Sequence, residues 1–241
     1  MKILVLGSEG QLGRCLYDQL INTDYQVLFA SRSNIDLSKE KLLRNKIISI
    51  KPDIVINAAA FTAVDEAENN PNEANLINHF AVANIANTCN DIGAYIIHIS
   101  TDYVFDGSAR SPYKEDDKTN PNSIYGKSKL DGEIAIQTSG AKYLIIRTAW
   151  VFCEYGNNFL KTILKHGNIK DELNIVGDQT GCPTYAQDIA KAIISILPTI
   201  ASNKLGSGIF HFCGDHSCTW YEFARAIFYE AQAIGLKTPQ Y

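Results

Sequence analysis

Apolar and polar positions fall into short alternating blocks. Ile3 to Leu6 is an unbroken apolar run ending in glycines, as a strand buried on both faces should look. Leu12, Leu16 and Leu20 then recur at helical spacing. Tyr25 to Ala30 predicts a second strand, and Leu42, Leu43, Ile47 and Ile50 place a helix over Ser38 to Ile50. Asp53 to Asn57 predicts a third strand. Asn70-Pro-Asn-Glu73 opens a long helix, with Asn as cap, Pro at the first helical position and Glu at the third. Ala94 to Ser100 and Tyr143 to Arg147 predict a fourth and a fifth strand, with another helix between them. Strands separated by helices of this length imply crossover connections and a parallel sheet.

Beyond about residue 150 the alternation weakens. Gly156 to His166 reads as a helix, Leu173 to Val176 as a strand, Asp188 to Leu197 as a helix and Ile209 to Phe212 as a strand. Thr219-Trp-Tyr-Glu222 is a capping-box pattern before a helix reaching about Ile234. The polar stretch Asp106 to Asn122 reads as an exposed loop, not a linker.

Composition narrows the function classes. A chain of 241 residues, 46% hydrophobic and 10% aromatic, can bury a sizeable core, which excludes disorder as its main character. A net charge of −4 supplies no basic field for nucleic acid or an anionic membrane. No apolar run approaches the roughly 18 residues of a membrane span. The apolar stretch Ile3 to Leu6 is too short for a signal peptide, so a cytoplasmic location is expected. The cysteines at 15, 89, 153, 182, 213 and 218 lack paired spacing, and reduced thiols are expected. His211, Cys213, His216 and Cys218 are candidate zinc ligands, but their spacing matches no common zinc module. That segment reads better as a strand end, a turn at Gly214 and a helix start, so no metal site is expected.

Gly7-Ser-Glu-Gly10-Gln-Leu-Gly13 lies between the first strand and the first helix. Glycines there allow a tight turn and the approach of a pyrophosphate to amides at a helix N-terminus. The second strand ends in Ala30-Ser31-Arg32, without the acid that would bind a ribose 2′-hydroxyl. A guanidinium suits a 2′-phosphate, so NADPH is favoured, with NADH left open. Asn57-Ala58-Ala59-Ala60 ends the third strand, where small side chains let a cofactor lie against the backbone and equally serve close helix packing. Ser100-Thr101-Asp102 ends the fourth. Tyr125 and Lys129 are four apart on one helical face, so a lysine ammonium near the phenol is expected to lower its pKa and make it an acid–base group. Thr101 is placed to hold a substrate oxygen.

Together these segments resemble the extended short-chain dehydrogenase/reductases, and within them the dTDP-4-dehydrorhamnose reductases. GSEGQLG (7–13), NAAAFTAVDEAE (57–68), STDYVFDG (100–107), YGKSK (125–129), RTAWVF (147–152), GNNF (156–159) and TWYEFA (219–224) carry the likeness. The resemblance implies a Rossmann-type α/β fold: a doubly wound parallel sheet over residues 1–148, then a smaller substrate-binding portion over 149–241. It implies reduction of the 4-keto group of dTDP-4-dehydro-6-deoxy-L-mannose, with Tyr125 as proton donor, Lys129 as its activator and ribose anchor, and Thr101 as third member. The cofactor set it implies is Gly7, Glu9, Gly10, Gln11, Leu12, Gly13, Arg32, Asp36, Leu37, Ala58, Ala59, Ala60, Ser100, Tyr125 and Lys129. Thr62, Val64, Thr101, Asp102, Tyr103, Trp150 and Asn158 fall where the family binds its nucleotide sugar.

Members of this family can bind Mg²⁺ through acids at a dimer contact, but the matching positions are Cys15 and Gln187. A hard cation prefers carboxylate oxygens, so a homodimer, left open, is not expected to be metal-bridged. The family usually continues several tens of residues beyond the helix that begins at Thr219, whereas the sequence stops at Lys237-Thr-Pro-Gln-Tyr241. Truncated or differently closed, such a chain is expected to bind NADPH well and the sugar nucleotide weakly. Within the class, a related sugar-nucleotide reductase or epimerase is the alternative. A dehydratase is disfavoured because Tyr103, not Glu, follows Asp102. Outside the class stands a non-catalytic NADP-binding regulatory subunit like the beta subunit of methionine adenosyltransferase.

Overall fold

The computed structural model describes residues 1–239; Gln240 and Tyr241, the end of the segment 149–241, lie outside the described residues. Five strands and their connections build the first part: β1 (Lys2–Leu6), α1 (Gln11–Leu20), β2 (Gln26–Ala30), α2 (Glu40–Ile50) and β3 (Ile54–Asn57). Then come α3 (Val64–Asn69), α4 (Pro71–Asn75), a π-helical turn (Leu76–Phe80), α5 (Ala81–Ile92), β4 (Tyr95–Thr101), α6 (Ile124–Thr138) and β5 (Lys142–Thr148). The remainder holds β6 (Val151–Phe152), α7 (Phe159–Ile169), β7 (Thr180–Gly181), β8 (Thr184–Tyr185), α8 (Ala186–Ala201), β9 (Gly208–His211), β10 (Cys218–Thr219) and α9 (Trp220–Ala233).

The central sheet has the order β2-β1-β3-β4-β5-β9, and every pair in it is parallel. Side-chain alternation feeds two cores. Ile3, Val5, Ile54, Ile56 and Ile97 pack with Leu16 and Leu20 of α1 and Ile189, Ile193 and Leu197 of α8. Leu4, Leu6, Val55, Ile96 and Ile145 face the other way, onto α2, α5 and α6 through Leu43, Ile47, Ile85 and Ile136. Helices on both faces explain why the strands read as continuous apolar runs.

Three local expectations are corrected. Leu173 to Val176 has no strand partner and is irregular; Leu173 and Ile175 instead seat the segment on a small separate core between α7 and α9. Asn70 makes no side-chain cap, because its amide turns back to the Glu66 carbonyl. The helix it precedes is also not continuous: the π turn at Leu76–Phe80 divides it. Residues after 148 share this sheet: β9 extends it and α8 covers one of its faces.

A buried ion pair fixes α6 to the sheet. Glu133, with no solvent exposure, receives Arg147 Nη2 at 2.7 Å, Arg147 Nε at 3.0 Å and the Ser100 hydroxyl. Arg147 also donates to the Glu115 carbonyl at 3.2 Å and lies over the Phe105 ring. Replacing Arg147 with Met strands a carboxylate in the core and should cost about 3–5 kcal/mol. Denaturant unfolding measures this, and the double replacement Arg147→Met, Glu133→Leu should recover most of the loss.

Candidate active site

The carboxyl ends of β1 to β5 open onto one cavity of about 780 Å³. Strand order reverses at β1, between β2 and β3, the place where doubly wound sheets bind ligands. Gly7 sits at φ 80°, and a Cβ there would lie 2.7 Å from the Ala59 amide nitrogen; a Cβ on Gly13 would lie 2.1 Å from the Gly7 carbonyl oxygen. The loop thus packs tightly on β3 and α1. Gly10 begins α1 without a side-chain cap and without acids in the first turn, so the helix N-terminus offers its amides to an anion. Arg32 is exposed on the same wall, beside Asp36, whose carboxylate is lowered by the Ser38 hydroxyl and amide and by nearby Arg32. An anionic dinucleotide fits this donor set.

The cavity is lined by every candidate residue except Gly13, which is packed beneath the loop. Thr101 donates to Asp102 Oδ1 at 3.0 Å and accepts the Tyr103 amide at 3.2 Å. Asp102 is half-buried, and desolvation raises its pKa. Tyr103 stands edge-on to Tyr125 with ring centroids 5.5 Å apart. Asn158 lines the wall but is committed: its amide donates to Gln11 Oε1 at 2.9 Å and the Cys153 carbonyl at 2.8 Å, while its oxygen caps α7. Trp150 holds a left-handed backbone (φ 46°) and stacks on Trp220 with centroids 3.5 Å apart. Such a backbone is uncommon for a bulky residue and costs roughly 1–2 kcal/mol.

The electrostatics of the Tyr–Lys pair correct the sequence reading. Burial raises Tyr125 well above the ordinary phenol range; the Thr101 hydroxyl opposes this, while Asp102 and Tyr103 add to it. The Lys129 amine turns under the sheet edge to the Ile99 carbonyl (2.6 Å) and to His98 Nε2 (3.1 Å). Lys129 is 1% exposed, and burial lowers it to about 8 against the pull of Glu133.

The family model described as the RmlD substrate binding domain matches residues 1–239. The chain belongs to the dTDP-4-dehydrorhamnose reductase family. A dTDP-4-dehydrorhamnose reductase of Aggregatibacter actinomycetemcomitans is 43% identical over 234 residues, covering 96% of this chain and 80% of its own. Among solved members, an ortholog from Clostridium acetobutylicum superposes with a TM-score of 0.91 at 40% identity, covering 100% of this chain and 84% of the other. The enzyme of Bacillus anthracis, solved in complex with NADP, gives 0.92 at 35% identity, with 99% and 83% covered.

At the positions that the family likeness assigns to Mg²⁺, the side chains do not fit a hard cation. Cys15 is buried with its thiol pushed up by desolvation, and the Gln187 amide is bonded to Asp18 and Glu154. Among the described residues no helix is long and apolar enough to cross a membrane.

Several wall residues escaped the sequence reading, among them Phe61, Glu73, Thr148 and Trp220. Trp220 sits inside the capping box that marks α9, which drew attention to local structure only. His98 had a signal, a lone polar residue in the run Tyr95-Ile-Ile-His-Ile99.

The lowered Lys129 value has a stability consequence. A buried base binds its proton less tightly than it does in the unfolded chain, so its penalty is full below about pH 8 and fades towards the ordinary lysine value of 10.5. Unfolding free energy of the native chain minus that of Lys129→Met should therefore rise with pH across this window. A flat difference from pH 7.5 to 10 would remove the shift.

Proposed function

We propose that the chain reduces the 4-keto group of dTDP-4-dehydro-6-deoxy-L-mannose to give dTDP-L-rhamnose, using NADPH. The observation that supports this most directly is that Thr101, Tyr125 and Lys129 share one cavity with the glycine loop and Arg32. Family membership adds the substrate class, because the relatives are named for this reduction.

In this reading, residues 1–148 hold the cofactor. The amides of the first turn of α1 face its pyrophosphate, Arg32 the 2′-phosphate and Lys129 the ribose. When bound, the cofactor supplies a hydride for the sugar C4. Thr101 hydrogen-bonds the oxygen at that carbon, and Tyr125 gives its hydroxyl proton to the alkoxide as it forms. The raised phenol pKa suits this direction, because the acid must begin protonated and an alkoxide is a stronger base still. The second portion, from residue 149, supplies the wall for the nucleotide sugar through Trp150 and neighbours on α7 and α9. Burial of Tyr125 and Thr101 keeps bulk water from competing for the proton.

Purified protein incubated with NADPH and a small panel of 4-keto sugar nucleotides should consume NADPH with the dTDP-linked 4-keto sugar. Binding of NADPH without turnover on any panel member would favour the non-catalytic reading instead. In the active protein, Tyr125→Phe should lower kcat by on the order of a hundredfold while leaving NADPH binding intact. Arg32→Ala should weaken NADPH binding by roughly 1.5–3 kcal/mol and hardly change NADH binding, as titration calorimetry with the two cofactors would reveal.

A further inference from the structure

Cys182, Cys213 and Cys218 gather beside the Trp150 wall as free thiols, on segments whose backbones are tied together. β7 and β10 pair antiparallel with Cys218 opposite Gly181. Gly181 is the seat of Trp150: a Cβ there would lie 2.3 Å from Trp150 Cε2. Thr184 then joins this seat to the turn after β9. Its hydroxyl donates to the Cys182 carbonyl at 3.0 Å and accepts the Gly214 amide at 3.2 Å, while its own amide donates to the Trp150 carbonyl at 3.2 Å. The two segments touch so closely that a Cβ on Gly214 would lie 2.2 Å from the Pro183 carbonyl oxygen. Side by side with these backbones, the Cys182 and Cys213 thiols are hydrogen-bonded to each other, whereas Cys218 feels Cys182 only through space.

We propose that Cys182 and Cys213 form a reversible disulfide by exchange with a small-molecule disulfide, and that this bond fastens the seat of Trp150 to the turn after β9. Cys213 is exposed and Cys182 half-buried, so Cys213 reacts first. Its thiolate attacks one sulfur of the reagent R–S–S–R, forming a mixed disulfide and releasing one R–S⁻. The Cys182 thiolate then attacks the Cys213 sulfur and expels the second R–S⁻. The two protein thiols are oxidised, the reagent is reduced to two thiols, and the two protein protons end on them. Burial, with the Cys182 thiol and Asp102 nearby, pushes Cys213 up to about 11. Exchange is therefore slow at neutral pH, but the reduced pair also lacks the thiolate stabilisation that would resist oxidation. Formation of the bond requires no assigned activity; its effect on sugar binding rests on the reading of Trp150 as part of the nucleotide-sugar wall. A fastened seat lowers the ordering cost of binding there. The glycine loop and Arg32 follow β1 and β2, across the sheet from β9, so the cofactor end is left as it was.

The purified chain, held with glutathione disulfide at about pH 8.5, near the ordinary thiol value, and mapped by mass spectrometry without reduction, should yield a cross-linked peptide joining Cys182 to Cys213. Dithiothreitol should release it. A link from Cys182 to Cys218, a glutathione adduct on Cys213 that never closes, or unmodified thiols overturns the proposal. In Cys182→Ser the reaction should stop at the Cys213 adduct, and a Cys213 left unmodified there would count against it as the attacking thiol. The bond closes the chain around α8 and β9, so the oxidised protein should melt several degrees above the reduced one. A lower Tm would reveal a strained bond and would also overturn the proposal. By calorimetry, oxidation should tighten dTDP-L-rhamnose binding about threefold or more and leave NADPH binding unchanged. An unchanged or weaker sugar-nucleotide Kd in cross-linked protein refutes the role of the Trp150 seat. Should neither form bind the sugar nucleotide, the functional reading fails while the mapped disulfide stands.

Discussion

A carboxylate that never meets water anchors the helix that carries Tyr125 and Lys129. Glu133 is held on α6 by two groups from different strands, Arg147 on β5 and Ser100 on β4. Helix α6 carries Tyr125 two turns earlier and Lys129 one turn earlier, so the ion pair sets how far both reach beneath the sheet edge. A charge pair at this depth offers little net stability compared with an apolar replacement, and its value lies in geometry. Slippage of α6 by one residue would cost the carboxylate its hydrogen bonds to Arg147 and Ser100 and turn the phenol away from Thr101. The position of both side chains thus follows from satisfying one buried charge.

The same logic runs through the neighbouring polar groups. Asn57, His98 and Lys129 each sit at 1% exposure or less inside an otherwise isoleucine-rich layer, and His98 lies within hydrogen-bond distance of the other two. Such groups are costly if unpaired, so their donors and acceptors must match in direction as well as distance.

Much of this was legible in the sequence. The apolar runs at Ile3, Ile54 and Tyr95 located strands because they are buried on both faces, and the glycine loop and the Tyr125–Lys129 spacing located the cavity. What was not legible depended on contacts distant along the chain. Leu173 to Val176 has the composition of a strand, but it pairs with none, and Leu173 and Ile175 pack against α7 and α9 instead. The expected acidification of Tyr125 assumed an ammonium facing the phenol, whereas Lys129 is drawn aside by Ile99 and His98. Periodicity places residues on a face; it does not say which neighbour a long side chain chooses. The stacking of Trp150 on Trp220 joins positions seventy residues apart, and no local pattern encodes it.

The π turn at Leu76–Phe80 accommodates one residue more than a regular helix would in the same rise. Its product is the placement of Asn78, whose amide grips Phe61 on both its N–H and its carbonyl and also reaches Ser128 on α6. Removing a single residue there would be no simple shortening. The helix would regain its regular phase, and everything on one side of the deletion would rotate by roughly 100° relative to the other. Either α5 would lose its seat on the sheet or Asn78 would swing away from the loop after β3. In lineages that keep both contacts, insertions and deletions in this stretch should arrive in pairs that restore the phase.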